Sequence, residues 1–335
     1  MEILDRNKKH IKKYISPFHI DKDRQKKVYH EIKESARGDF DFFVLTIFSG
    51  IIITLGLIVN SSAVVIGGML LAPLVWPILS LSLGIVKGRS KLIQDSVFTL
   101  LKSTLLIFVI AIIIGAISPS YALKGTEFLS RTSPTIFELF IALAAGFVGA
   151  FIIAYPKIGA AIAGVVIAAA LVPPIAVMGV SVSHGNISLA GGAFILYLSN
   201  LIAVTFSASV LFFVARFKGP SSEKGQERMK SNMRWTLLFL LVLTVPLFLI
   251  TSNTIKKNKQ QKIAREIVNA TIPEAVVTSV GIDDKSEVLV INITIQSSEN
   301  LTGSQISDLE DVLSKGMDKK VISRITVVPI IKMWE

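Results

Sequence analysis

The chain has 335 residues, a net charge of +11, 51% apolar residues and no cysteine, with a mean hydropathy of +0.62. The missing cysteine excludes disulfides, thiolate metal sites and thiol nucleophiles. The charges are segregated as no soluble domain requires: none lies between Phe42 and Val86, and Lys157 alone lies between Leu139 and Ala215.

Residues 1–39 form a polar arm with eleven Lys and Arg and no apolar stretch of the kind a secretory signal carries. Its basic segment 8–27 has two readings. One is binding to anionic lipid headgroups, at roughly 1 kcal/mol per residue near the surface; the other is a topology signal alone. Apolar runs follow at 40–59, 63–86, 97–118, 136–155, 158–180, 188–215 and 235–251, each close to the ~20 residues that cross a bilayer. Lys87, Arg89 and Lys91 follow the second run, and Arg216, Lys218, Lys224, Arg228, Lys230 and Arg234 follow the sixth. The intervening turns are poorer in basic residues, so the arm is expected on the cytoplasmic side of a prokaryotic inner membrane. Seven crossings then place the C-terminus outside.

The tail reads as a small α+β domain. A helix is expected over 259–270, with Ile263 and Ile267 one turn apart. Strands at 275–282 and 288–296 flank a turn at Asp283-Asp284-Lys285, and in the second strand Leu289, Ile291, Ile293 and Ile295 alternate with polar residues. Thr302 and Gln305 fit a capping box before a helix carrying Ile306, Leu309, Val312 and Leu313, and residues 321–328 supply a third strand. The order αββαβ points to a ferredoxin-like layer. The domains expected are therefore the arm 1–39, a first three-span repeat 40–135, a second 136–215, a basic loop 216–234, a seventh span 235–251 and the soluble domain 252–335.

The repeat rests on an ungapped alignment of 40–78 with 137–175, an offset of 97. Phe40-Asp41 falls on Phe137-Glu138, Ala63 on Ala160, Gly67 on Gly164, Ala72 on Ala169, Leu74-Val75 on Leu171-Val172, and Pro77-Ile78 on Pro174-Ile175. Three spans per copy place the copies in opposite orientation, an architecture shared by many secondary transporters whose sites lie at paired broken helices. Pro73, Pro77, Pro173 and Pro174, which remove backbone donors, are expected to break the second helix of each copy.

Two stretches carry a resemblance. Arg37-Gly38-Asp39-Phe40-Asp41-Phe42-Phe43-Val44-Leu45 and Asn60-Ser61-Ser62-Ala63-Val64-Val65-Ile66-Gly67-Gly68-Met69-Leu70-Leu71-Ala72-Pro73-Leu74 are similar to a bacterial and archaeal membrane family. It is known as the uncharacterised hydrophobic domain family, a domain of unknown function numbered 389. The likeness covers roughly 25–215 and is most specific over 60–78, with Gly68 where an alanine is expected. It implies a multi-pass membrane protein and brings no activity or functional residues.

From the residues alone, Asn60, Ser61 and Ser62 either present free N–H groups to an anion or make a turn and N-cap. Gly67, Gly68, Pro73, Pro77, Gly164, Pro173 and Pro174 either line a central site or serve close helix packing with kinks. Asp41 and Glu138 either form acidic mouths that concentrate cations or complement helix dipoles. Lys102 is either an intramembrane functional charge or a snorkelling side chain. Asn200, with Ser199 beside it on the sixth run, is expected to face the bundle interior, either lining the pathway or making an interhelical hydrogen bond. No metal-ligand spacing, phosphate loop or nucleophile motif is present, so neither a cofactor nor catalysis is expected, and the basic excess needs no nucleic acid. The function expected is passage of a small ion or solute along two discontinuous helices, in a homo-oligomer. The alternative is a non-transporting scaffold or sensor with a regulatory tail.

Overall fold

A computed structural model describes residues 20–155, 160–217, 223–272, 276–285, 288–297, 303–317 and 320–329. The arm before Ile20, Lys157 and Thr302 lie outside these residues. Two compact units are present, residues 1–250 and 251–335.

The first unit is helical. Helix α1 (Lys22–Ser35) is capped by Asp21, whose side chain accepts from the Arg24 amide. Helix α2 (Phe40–Ile58) starts at Asp39, which caps the Phe42 amide. Then come α3 (Ser62–Leu71), α4 (Val75–Lys87) and α5 (Ser90–Ala116), with short turns at Ser120–Lys124 and Thr126–Leu129. The second half holds α6 (Ile136–Ala154), α7 (Ala160–Ser183) and α8 (Ile187–Val214), and α9 runs Glu223–Thr271.

Among the described residues, α2, α5, α6, α8 and α9 are each long and apolar enough to cross a membrane, and α3 with α4, bent by 56°, would make a sixth. The one expected span left over is the fifth, 158–180, which is α7, and its described apolar stretch Ile167–Ser183 is shorter than a crossing. Two boundaries also move. Residues 223–234, expected as loop, already belong to α9, and α5 starts seven residues before its apolar run. In both places polar helix continues an apolar one, and hydropathy cannot mark a helix end that lies in polar sequence.

Helix α7 occupies the centre, packing against α2, α3, α4, α5, α6 and α8. Its residues Ile167, Ala168, Leu171, Val172, Ile175, Ala176, Val177 and Val180 are fully buried, as suits a helix apolar on every side. The helices approach closely through glycine. A Cβ on Gly179 of α7 would lie 2.7 Å from the Phe108 carbonyl oxygen of α5.

That contact has a counterpart at the repeat offset. Ser82 of α4, in register with Gly179, donates its hydroxyl to the Thr205 carbonyl of α8 at 3.1 Å, and Thr205 is in register with Phe108. Likewise a Cβ on Gly50 of α2 would meet Ile107 of α5, and one on Gly146 of α6 would meet Val204 of α8, the residue in register with Ile107. The second helix of each copy thus packs on the third helix of the other.

In the second unit, β1 (Val276–Lys285) pairs antiparallel with β2 (Val288–Ser297), and β2 pairs parallel with β3 (Val321–Pro329). Helix α10 (Gly303–Met317) connects the parallel pair. Leu289, Ile291, Ile293 and Ile295 of β2 are buried with Ala264 and Val268 of α9 and Leu309 and Leu313 of α10. The element order is the expected one, but the sheet is not ferredoxin-like. There the parallel strands of each βαβ unit are split by another strand, whereas here β2 and β3 are neighbours in the order β1-β2-β3.

Candidate functional site

The first candidate is the interruption between α3 and α4. Pro73 has no amide to offer Met69, and a proline drives the preceding residue towards extended backbone. Ala72 obeys, with φ −68° and ψ 115°. Leu74, at the start of α4, makes no side-chain cap. Ala72, Leu74 and Val75 are buried, and Gly164 of α7 faces the break, its Cβ position 3.8 Å from Val75 Cγ1.

The expected second break is absent. Helix α7 runs through Pro173 and Pro174 without interruption. Pro174 leaves the Ala170 carbonyl without its intrahelical partner, and Asn200 Nδ2 of α8 donates to that oxygen at 2.8 Å. Asn200 is buried and its Oδ1 has no partner among the described residues. The matching carbonyl in the first copy is that of Pro73, freed by Pro77, and it is met by the Trp76 amide at 3.2 Å as the chain turns. One copy solves the lost hydrogen bond with a turn and the other with a side chain. The pair of discontinuous helices therefore reduces to one.

The remaining residues separate from the break. Asn60 sits at φ +55°, a conformation asparagine tolerates, and its Oδ1 accepts from the Glu127 amide at 3.0 Å and from Thr126 Oγ1 at 3.2 Å. Ser61 caps α3 through the Val64 amide, and Ser62 donates to the Glu127 carboxylate. Asn60 and Ser62 fasten the α2–α3 turn to the turn Thr126–Leu129, while Ser61 serves only the start of α3. Gly68 lies against Ile53, while a Cβ on Gly67 would meet nothing within 4 Å, so the two adjacent glycines differ in role. Asp41 is exposed in the first turn of α2. Glu138 is used in a capping box, its carboxylate accepting from the Thr135 amide and Thr135 Oγ1 accepting from the Glu138 amide. Both acids stand in the first turn of a helix, where they complement its dipole.

Lys102 lies elsewhere, with its ammonium 4.3 Å from the Phe98 ring centre. It lines a cavity of about 820 Å³ between α1, α2, α4, α5 and α9 that also holds Lys33, Arg37, Arg89, Lys91 and Arg228. Sequence reasoning missed this cavity because its residues come from distant stretches of chain, 29–43, 80–102 and 228. The signal available was the local basic excess of Arg89 and Lys91 over Asp95.

Residues 69–206 match the model of a family described as a domain of unknown function (DUF389). Over those residues the chain is similar to the DUF389 domain. The matched region begins in α3, just before the break, and ends in α8, so this domain contains the break, α7 and the Asn200 contact. An uncharacterized protein of Methanocaldococcus jannaschii is 28% identical over 228 residues, covering 67% of this chain and 71% of the relative. The apolar helices are compatible with a membrane location.

Proposed function

We propose that this protein passes a small ion or solute across a membrane, beside the α3–α4 break. The observation that supports this reading is the start of α4. It is buried, it follows a proline-forced interruption, and it has no side-chain cap. The Trp76 amide meets the Pro73 carbonyl and Pro77 has no amide, so what this start offers is the Val75 amide and the positive end of the helix dipole. Discontinuous helices of this kind build the sites of inverted-repeat transporters. In this reading the two copies are inserted in opposite senses, α7 is the continuous wall of the pathway, the chain assembles with copies of itself, and the tail domain regulates it without catalysis.

A specific observation favours a second reading, a non-transporting scaffold or sensor. Gly115, Gly146 and Gly179 bring helices into backbone contact, and tight packing of small residues is also how inert membrane bundles are held. The absence of native cysteine allows a direct decision in intact cells. In the transport reading, Ala72→Cys reacts with a small hydrophilic thiol reagent, and an excess of the transported ion slows that reaction. Labelling of Ser62→Cys with complete silence at Ala72→Cys would instead leave the scaffold reading standing.

A further inference from the structure

We propose that the cavity between α1, α2, α4, α5 and α9 is a binding site for a phosphate-bearing anion. This site is apart from the α3–α4 break and does not rest on the transport reading. Six cationic side chains, those of Lys33, Arg37, Arg89, Lys91, Lys102 and Arg228, line it against one acid, Asp95. Among the described residues none of the six makes a salt bridge: the ion pairs are Lys26 with Asp23 and Lys262 with Glu266. Six converging cations with a single counter-charge repel one another, and an anion with several acceptor oxygens removes that cost.

Two further features match a phosphate. The cavity is lined by the first residues of α5, Ser90 and Lys91. Helix α5 has 27 residues, and its N-cap Arg89 makes no side-chain cap, so the amides of its first turn and the helix dipole are available to an anion. The Arg89 guanidinium is also held in place, donating to the Tyr29 hydroxyl at 2.7 Å and lying 5.2 Å from the Tyr29 ring centre. The ligand has two possible sources sharing one chemistry, a membrane phospholipid headgroup or a soluble phosphate compound. Phe98, which lines the cavity, and Leu101 on the next turn of α5 are exposed, which gives an acyl chain a surface to follow.

The test uses the full chain in neutral detergent and a fluorescent short-chain phosphatidic acid as probe. The triple variant Arg37→Gln, Lys91→Gln, Arg228→Gln is expected to weaken probe binding at least tenfold. A control triple in the tail domain, Lys256→Gln, Lys259→Gln, Lys262→Gln, is expected to change it less than twofold. Asp95→Asn, which removes the one acid, is expected to tighten binding several-fold. Displacement of the probe by phosphatidylglycerol but not by millimolar inorganic phosphate assigns the site to lipid, and displacement by inorganic phosphate assigns it to a soluble ligand. Equal loss in the two triples, or no tightening with Asp95→Asn, overturns the proposal.

Discussion

Asn200 carries more of the bundle than its single side chain would imply. It supplies the donor that the Ala170 carbonyl loses to Pro174, at a buried position where an unpaired carbonyl costs about 1–3 kcal/mol. Asn200→Leu should therefore lower the thermal midpoint in detergent, and Asn200→Asp should lower it further because a carboxylate there would face the carbonyl. Circular dichroism melting checks both. Glycines give a second contrast at this scale. In Gly179→Ala the new methyl would sit 2.6 Å from Ala111 Cβ and 2.7 Å from the Phe108 oxygen, and separating two helix backbones should cost about 1–3 kcal/mol. Gly67→Ala meets nothing and should hold or raise stability by up to ~1 kcal/mol, since alanine favours helix. Pro173 and Pro174 were legible as lost hydrogen bonds. What replaced them was not, because Asn200 lies 30 residues away in sequence and no local pattern names a partner at that distance.

At the scale of elements, chain-local signals proved the readable ones. Asp39 and Ser61 mark helix starts as their side-chain chemistry predicts, and the alternation in β2 gave its buried face. Ile293 lies in the middle of that face and is 1% exposed. Ile293→Ala should destabilise the tail unit by about 2–4 kcal/mol, seen as faster amide exchange in β2 and β3 while α7 stays protected. Strand neighbours were not readable. The pairing of β2 with β3 is fixed by how α10 crosses the sheet, and an αββαβ order alone is compatible with both adjacent and split parallel strands. The two helices expected to break were read from the same proline signal, yet only one breaks. A proline defines which carbonyl is orphaned, while the surrounding packing decides how it is satisfied.

For the whole molecule, charge is the organising quantity. Apart from Lys102, which lies within the apolar run of α5, the basic residues that line the cavity come from α1, the turn before α2, the start of α5 and the start of α9, the same segments that the positive-inside rule places in the cytoplasm. A cysteine at Ser231, near Arg228, is accordingly expected to react with an impermeant thiol reagent only after cells are opened, whereas labelling of intact cells would invert the orientation. The site itself was only half legible. Composition pointed to several long apolar helices, and these are present, but a cavity assembled from distant stretches exists only once they are folded together.

The exchanged contacts between the copies also set a timetable. Ser82 meets the Thr205 carbonyl across 123 residues of sequence, so α4 is made long before the helix that completes its surroundings. At ribosomal rates of ~5–20 residues per second that interval is roughly 6–25 s. During it the Ser82 hydroxyl can rely on the Ile78 carbonyl one turn back, which it contacts at 2.9 Å. The helices up to α4 must then persist as an unfinished intermediate until α8 is translated.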